Sequence, residues 1–227
     1  ELVRDASSNP GSQPMVILFA AGNEGPATGT ITSPGTAKNV ITLGAAENWW
    51  PGYSSCGWSP AMTDSPGDDI AYYSARGPVS DGRIKPDLAA IAQGWLTTRG
   101  EQAGEGCGPP FDGGDPDLYR NFNGTSAATP AAAGAAALVY QHARREWGGP
   151  PSPAMVKAVL VATARDMAGG IDCNVSDGTG PEIEPVPNGS QGWGLIDTGR
   201  TFDDAPVVRV DQSVVFDATG QSWSEVV

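Results

Sequence analysis

A serine that could act as a nucleophile stands at the beginning of an alanine-rich segment. Residues 123–130 read NGTSAATP, and the apolar stretch that follows predicts a helix whose first turn holds Ser126. A hydroxyl at a helix N-terminus lies beside backbone N–H groups that have no partner within the helix, and these donors favour negative charge. A carbonyl attacked by Ser126 would therefore develop its oxyanion in a favourable field. Serine is also an ordinary residue at helix starts, so a purely structural role is the alternative.

A side-chain amide follows a predicted buried strand further upstream. Residues 15–20 have the length and β-branched content of a buried parallel strand, and Asn23 comes shortly after them in the sequence GNEG. Open α/β sheets bind their ligands beyond the carboxyl ends of the strands, where an amide can donate a hydrogen bond to a developing oxyanion. The alternative interpretation is that residues 23–25 form only a turn.

Two further blocks lie between these residues, and each predicts a turn that leads into a short strand. They are SARGP at residues 74–78 and KPD at residues 85–87. Together with AAGNEG at residues 20–25 and GTSAATP at residues 124–130, they form four blocks in a fixed order. In these blocks the chain resembles the C-terminal half of a subtilase, a subtilisin-like serine protease.

The resemblance extends beyond the four blocks. Residues 151–158 and 191–194 look like those of the bacterial alkaline subtilases that carry a C-terminal β-domain, and the similarity covers roughly residues 10 to 203. It implies a serine endopeptidase that acts on polypeptides, requires no cofactor for its chemistry and belongs to a mostly secreted family. The alternative is a non-catalytic, subtilase-like binding module.

The resemblance also assigns roles to particular residues. Ser126 would be the nucleophile that forms the acyl-enzyme, and Asn23 would donate to the oxyanion together with the N–H of Ser126. Small residues would line a roomy pocket for a large apolar side chain before the scissile bond. The substrate-binding residues implied in this way are Ala20, Ala21, Gly22, Thr32 and Thr125.

The aspartate and histidine of the family's catalytic triad are missing from this chain. In the family they precede the oxyanion asparagine, but only about twenty residues precede Asn23, and these include no histidine. The single histidine, His142, lies sixteen residues after Ser126 on the same predicted helix, which corresponds to about 24 Å. A general base must come within about 3 Å of its proton. We therefore expect His142 to be a solvated residue near the helix end, and the chain to be an inactive fragment whose missing N-terminal half supplies the base.

Composition and charge exclude several other classes of protein. The net charge of −13 and the isoelectric point near 4.3 argue against nucleic-acid binding, because no basic face is available to neutralise phosphates. No apolar run reaches the length of a membrane span. The three cysteines match no zinc-binding pattern. The sequence is equally compatible with two alternatives. Either Cys56 and Cys107 form a disulfide, or all three cysteines, including Cys173, are unpaired thiols.

Two acidic segments offer oxygen ligands of the kind that calcium prefers. They are residues 112–117, which read DGGDPD, and Asp64 with Asp68 and Asp69. Neither segment matches a loop motif that fixes ligand geometry, so solvated acidic loops are favoured and no metal ligand is assigned. Structural calcium in the parent protein stays an alternative that the resemblance implies.

Alternating strands and helices predict an α/β fold with a parallel sheet. Strands are predicted at residues 15–20, 40–45 and 87–91, with one helix over 126–147 and a second that begins after the N-cap Ser152. The first half of the long helix is apolar on all sides, which predicts burial all round. The resemblance implies part of a three-layer subtilisin-like fold in residues 1–203, followed by a linker and the first strands of a truncated β-domain in residues 204–227. An apolar sheet edge is expected where the missing half belongs.

Overall fold

A parallel sheet packed against one long helix forms the centre of the molecule. The computed structural model describes residues 9–11, 13–49, 68–100, 118–174, 178–203, 208–211, 219 and 221–222. In this part of the chain the strands are β1 (Leu18–Ala20), β2 (Ile41–Ala46), β3 (Leu88–Ile91), β4 (Trp95–Thr98) and β5 (Tyr119–Phe122). The helices are α1 (Thr125–Glu146), α2 (Pro153–Ala162) and α3 (Thr198–Thr201).

The three predicted strands form one parallel sheet in the order β1-β2-β3. Leu18 pairs with Ile41, and Leu43 pairs with Leu88. Every residue of β2 is buried, as expected for the central strand of a sheet covered on both faces. The predicted α/β fold is therefore confirmed, with strand boundaries that differ from the predicted ones by one to three residues at the N-terminal ends.

An antiparallel hairpin of β4 and β5 was not predicted. Trp95 pairs with Phe122 and Thr98 with Tyr119, so the two strands enclose the long acidic segment that was interpreted as a loop beginning at residue 99. These strands are only half-buried and lack a clear apolar alternation. The connection between them is too long for a hairpin-turn signature, which explains why the sequence gave no local signal.

Helix α1 packs on the sheet through a face of small residues. Ala128, Ala132 and Val139 on this face are fully buried, and their short side chains let the helix approach β1, β2 and β3 closely. The prediction of burial all round is wrong for the first half of the helix, because Pro130, Gly134 and Ala137 on its other face are exposed in the described part of the chain. The apolar composition of this face is thus not explained by contacts with the described residues.

Helix α2 confirms its predicted start. The Ser152 hydroxyl accepts a hydrogen bond from the backbone N–H of Met155 at 3.0 Å, and Pro153 occupies the first helical position. Val156 and Leu160 point from α2 into the core shared with the sheet and α1. The face of α2 that carries these two residues therefore covers the core.

Asp87 of the KPD block links β2 to α2 through a buried network of charges. Its carboxylate accepts from the ammonium of Lys85 at 2.5 Å, from that of Lys157 at 2.6 Å and from the backbone N–H of Thr42 at 2.7 Å. Lys85 is 2% exposed, and burial lowers the pKa of its ammonium group. Both lysines also donate to the carbonyl of Val40. One carboxylate thus compensates two ammonium groups that have little access to water.

We expect the substitution Asp87→Ala to reduce the free energy of unfolding by about 3–5 kcal/mol, because it leaves a buried ammonium group without its counter-ion. Chemical unfolding of the purified protein measures this change. The control is Asp81→Ala, which removes an ion pair to Arg83 on the surface and should leave stability almost unchanged. Equal effects of the two substitutions would contradict the role given to Asp87.

The described residues after α3 include no strand. Residues 208–211 have no regular structure, so the strand predicted for residues 207–210 is not found in its described part. Residues 213–216, predicted as the next strand, lie outside the described residues. Strand β1 is an edge strand of the described sheet, and its apolar residues are half-buried.

Candidate active site

The turn after β1 requires glycine at position 22. Gly22 has a φ of +114°, a value that other residues rarely adopt. A Cβ atom at this position would also lie 3.2 Å from Oγ1 of Thr32 and 3.5 Å from Cβ of Ala75. The carbonyl of Gly22 accepts from the N–H of Ala75 at 3.0 Å, which fixes the turn against the SARGP block. This close packing determines the direction in which the chain continues from β1 to Asn23.

The Asn23 side chain is attached to the start of α1 through its oxygen. Oδ1 of Asn23 accepts from the backbone N–H of Thr125 at 2.9 Å and from the Thr125 hydroxyl at 3.0 Å. Two donors on one amide oxygen fix the orientation of the carboxamide, since the nitrogen could not accept either bond. The Nδ2 group is therefore the part of Asn23 that can donate to another acceptor.

Ser126 is exposed at the first turn of α1. The preceding Gly124 has a φ of +95°, and a Cβ atom at Gly124 would lie 3.3 Å from Nδ2 of Asn23. Thr125 is buried, whereas Ser126 is accessible to solvent. Within the described residues no hydrogen bond to the Ser126 hydroxyl is found. The structure thus brings Asn23 beside the residue that precedes Ser126, on the same side of the molecule.

The residues implied as substrate-binding lie together at the end of β1. The N–H of Thr32 donates to the carbonyl of Ala21 at 3.2 Å, and the Thr32 hydroxyl lies next to Gly22. The N–H of Gly22 donates in turn to the Thr125 hydroxyl at 3.3 Å. Ala20 is the last residue of β1. The five residues therefore lie together between β1 and the N-terminus of α1, with Ala21 and Thr125 buried and Thr32 exposed.

Tyr73 is a site residue that sequence reasoning missed. Its hydroxyl accepts a hydrogen bond from the N–H of Gly124 at 3.2 Å, and burial raises the pKa of this phenol well above its usual range. Tyr73 thereby holds the backbone turn that places Ser126 at the start of α1. Its only sequence signal is its position directly before the SARGP block.

The SARGP block itself supports the sheet beneath the site. The hydroxyl of Ser74 accepts from the N–H of Ala45 in β2 at 3.0 Å. The buried guanidinium of Arg76 binds Asp172 at 2.5 Å and also donates to the carbonyl of Ser74. The SARGP and KPD blocks thus have clear structural partners. The catalytic hypothesis concerns only the AAGNEG block, which contains Asn23, and the GTSAATP block, which contains Ser126.

His142 lies far from Ser126 and is not the solvated residue that was predicted. It is half-buried, with its ring packed against those of Trp147 at 5.7 Å and Phe202 at 5.4 Å between centroids. Ser126 and His142 lie on one unbroken helix, sixteen positions apart, which corresponds to about 24 Å. The prediction was wrong because the C-terminal segment after α2 returns to cover this end of α1.

The acidic residues and cysteines are placed only in part. The carboxylate of Asp68 pairs with Arg165, and Oδ1 of Asp69 accepts from the N–H of Ile171 at 2.6 Å. Cys173 is a buried free thiol. The calcium and disulfide hypotheses otherwise concern Asp64, residues 112–117, Cys56 and Cys107, which lie outside the described residues.

These features define a class of site before any comparison is made. An exposed serine in the first turn of a helix and a carboxamide oriented by its oxygen at the end of a parallel strand are two of the groups that a serine hydrolase requires. A family model described as "Subtilase family" matches residues 3–194. The chain therefore belongs to the subtilase family of serine proteases.

Individual relatives agree with this assignment. The chain is 31% identical over 201 residues to pyrolysin of Pyrococcus furiosus, a match that covers 83% of this chain and 12% of pyrolysin. It is 34% identical over 134 residues to the serine protease AprX of Bacillus subtilis, with coverage of 56% of this chain and 26% of AprX. The chain thus spans a minor part of the curated relatives it matches.

A solved structure supports the fold. The prenylagaramide maturation protease PagA superposes with a TM-score of 0.50 at 22% identity, and the match covers 82% of this chain and 49% of PagA.

Among the described residues, none of the helices combines the length and apolar content that crossing a membrane requires.

Proposed function

We infer that this chain provides the nucleophile and the oxyanion donors of a serine endopeptidase that hydrolyses polypeptides. The observation that carries the inference is the Asn23 carboxamide, whose oxygen is held by Thr125 so that Nδ2 can donate beside the exposed Ser126. Membership of the subtilase family supports the same reaction class.

The reaction proceeds in two acyl-transfer steps. The Ser126 oxygen attacks the carbonyl carbon of the scissile peptide bond and loses its proton to a base. The negative charge that forms on the carbonyl oxygen is stabilised by Nδ2 of Asn23 and by the N–H of Ser126. The amine product leaves with a proton from the same base, and water then releases the acyl group from Ser126.

The base and its orienting aspartate belong, in this proposal, to polypeptide outside the 227 residues. His142 is too distant along α1 to reach Ser126 and is packed between two aromatic rings. The apolar edge strand β1 and the exposed apolar face of α1 are surfaces that such a missing half would cover. The 227-residue chain alone is then inactive, because a serine without a base is a weak nucleophile.

The pocket for the substrate is assigned to the surface between β1 and α1. Ala20, Ala21 and Gly22 provide one wall and Thr32 lies near the base, so that a large apolar side chain fits before the scissile bond.

The strongly acidic composition and the family suit a secreted enzyme. Calcium would have a structural role at most, since acyl transfer by Ser126 needs no metal.

A fluorophosphonate probe tests the proposed function. It should label Ser126 in the longer protein that contains this chain, label its Ser126→Ala variant not at all, and label the isolated 227-residue chain poorly. Failure to label the longer protein, with its fold intact, would favour the alternative of a non-catalytic binding module. Equally rapid labelling of the isolated chain would show that the base lies within it.

The Thr125 hydroxyl is expected to act as a positioning group for Asn23. Thr125→Val keeps the shape of the side chain but removes one of the two donors to Oδ1 of Asn23, together with the weaker bond that the hydroxyl accepts from the N–H of Gly22. The net value of one such bond is about 1 kcal/mol, so kcat should fall about fivefold to tenfold with KM little changed. Steady-state hydrolysis of a peptide substrate measures the change.

Thr129→Val is the matched control for this substitution. Its hydroxyl donates to the carbonyl of Thr125 within α1 and makes no contact with Asn23 in the described structure. It should leave both kinetic constants near those of the unsubstituted protein. A similar loss of kcat in both variants would indicate a general effect on α1 instead of an effect on the carboxamide.

A further inference from the structure

Three potential metal ligands converge at the carboxyl end of β2, apart from the Asn23–Ser126 site. Glu47, Asp69 and Cys173 each place one ligand atom within 4.8 Å of the other two. They come from three segments joined by backbone hydrogen bonds. The N–H of Glu47 donates to the carbonyl of Asp69 at 2.9 Å, and the N–H of Cys173 donates to the carbonyl of Ile70 at 3.1 Å. The cluster is therefore fixed by the fold.

Glu47 is the feature of this cluster that the fold does not explain. It is 1% exposed, and neither of its carboxylate oxygens has a hydrogen-bond partner in the described structure. A buried carboxyl group without partners is unfavourable in either protonation state. A ligand that binds its oxygens would remove this penalty.

Asp69 and Cys173 are oriented toward Glu47 by other contacts. Oδ1 of Asp69 accepts from the N–H of Ile171 at 2.6 Å, which leaves Oδ2 for another partner. Such hydrogen bonds to the second oxygen are typical of carboxylates that bind metals. Cys173 is fully buried, unpaired and close to the guanidinium of Arg76, which donates to its carbonyl at 3.4 Å.

We propose that Glu47, Asp69 and Cys173 bind a Zn²⁺ ion with a structural role. Two carboxylate oxygens and one thiolate are suitable ligands for zinc, whereas Ca²⁺ and Mg²⁺ prefer oxygen ligands alone. Three protein ligands leave a fourth tetrahedral position, which a water molecule can occupy. On binding, the Cys173 thiol loses its proton to solvent, and no oxidation or reduction takes place.

Metal binding here would add a direct link between the side chains of three segments that already meet through backbone hydrogen bonds. The ion would join the end of β2 to the strand-like segment at Ile70 and to the segment at Cys173, which are far apart in the sequence. Tyr73 follows Ile70 by three residues in the same segment, and it holds Gly124 at the start of α1. The expected consequence is greater stability of the scaffold beneath Ser126.

Titration of the chelator-treated intact protein with Co²⁺ and Zn²⁺ tests the proposal. Co²⁺ should produce a thiolate-to-metal charge-transfer band. Zn²⁺ should displace the Co²⁺, so that the band disappears, and should raise the melting temperature of the protein. Cys173→Ala should abolish the band, and Glu47→Gln should weaken Zn²⁺ binding at least tenfold. Asp81→Asn, which changes an exposed carboxylate elsewhere, is the matched control and should retain both responses.

The results of this titration either support or overturn the proposed zinc site. A missing band in the unsubstituted protein, or a Zn²⁺-dependent rise in melting temperature that is equally large in Glu47→Gln, would overturn the site. If Cys173→Ala does not fold, the near-isosteric Glu47→Gln variant still decides the question. Both measurements are independent of proteolytic activity, so they stand whether or not Ser126 is catalytic.

Discussion

Replacing Ser126 by alanine in the longer protein that contains this chain is expected to lower kcat for peptide hydrolysis by about 10⁶-fold. Removal of the nucleophile has about this effect in a subtilisin, where the residual rate comes from the oxyanion hole and substrate binding alone. Ser126 is the exposed hydroxyl at the start of α1, next to the residue that holds Asn23. A chromogenic peptide with a large apolar residue before the scissile bond provides the assay.

A second serine variant serves as the control for this prediction. Ser80→Ala changes an exposed hydroxyl in the turn that precedes the KPD block, so it should leave kcat and KM unchanged. Melting temperatures of the two variants should both be close to that of the unsubstituted protein. Residual activity of Ser126→Ala above about 1% would show that another group acts as nucleophile, since loss of a true nucleophile is far more severe.

Features with a local cause could be predicted from the sequence. The start of α2 follows from a serine that can cap the helix and a proline that suits its first turn, and the structure shows that capping bond. The central strand β2 follows from a short run of apolar and β-branched residues, in which Thr42 is the one polar side chain. In both cases the residues that determine the element lie within it or beside it, so a short window of sequence contains the necessary information.

Features that depend on distant partners could not be predicted in the same way. The bond between Asn23 and Thr125 joins residues 102 positions apart, and only the resemblance to a family placed them together. The carboxylate of Asp87 binds Lys157 across 70 positions. The aromatic cover on His142 comes from Phe202, sixty residues further along the chain. Such contacts are set by how elements pack, which composition and periodicity do not encode.

The same reason explains why the cluster at Glu47 escaped the analysis of cysteine and carboxylate spacing. Zinc sites are recognised in sequences when their ligands lie a few residues apart. Here the ligands come from positions 47, 69 and 173, which backbone pairing brings together at the end of β2. Asp69 was considered as a possible calcium ligand in a segment better interpreted as a solvated acidic loop, and Cys173 only as an unpaired thiol. Neither interpretation involved Glu47, whose burial is evident only in three dimensions.

Substitutions of Asn23 separate its two proposed roles and should cause the second largest loss of activity. Asn23→Ala is expected to lower kcat by about 10²–10³-fold with little change in KM, because the lost hydrogen bond forms only in the transition state. Asn23→Asp retains an oxygen that can accept from Thr125 but replaces the donor Nδ2 with a second acceptor. It should be at least as inactive as Asn23→Ala while keeping the stability that Asn23→Ala loses. Asn39→Ala, in an exposed turn, is the control. An active Asn23→Asp variant would mean that Asn23 serves only to fix α1 against the sheet, and that the oxyanion is stabilised by other donors.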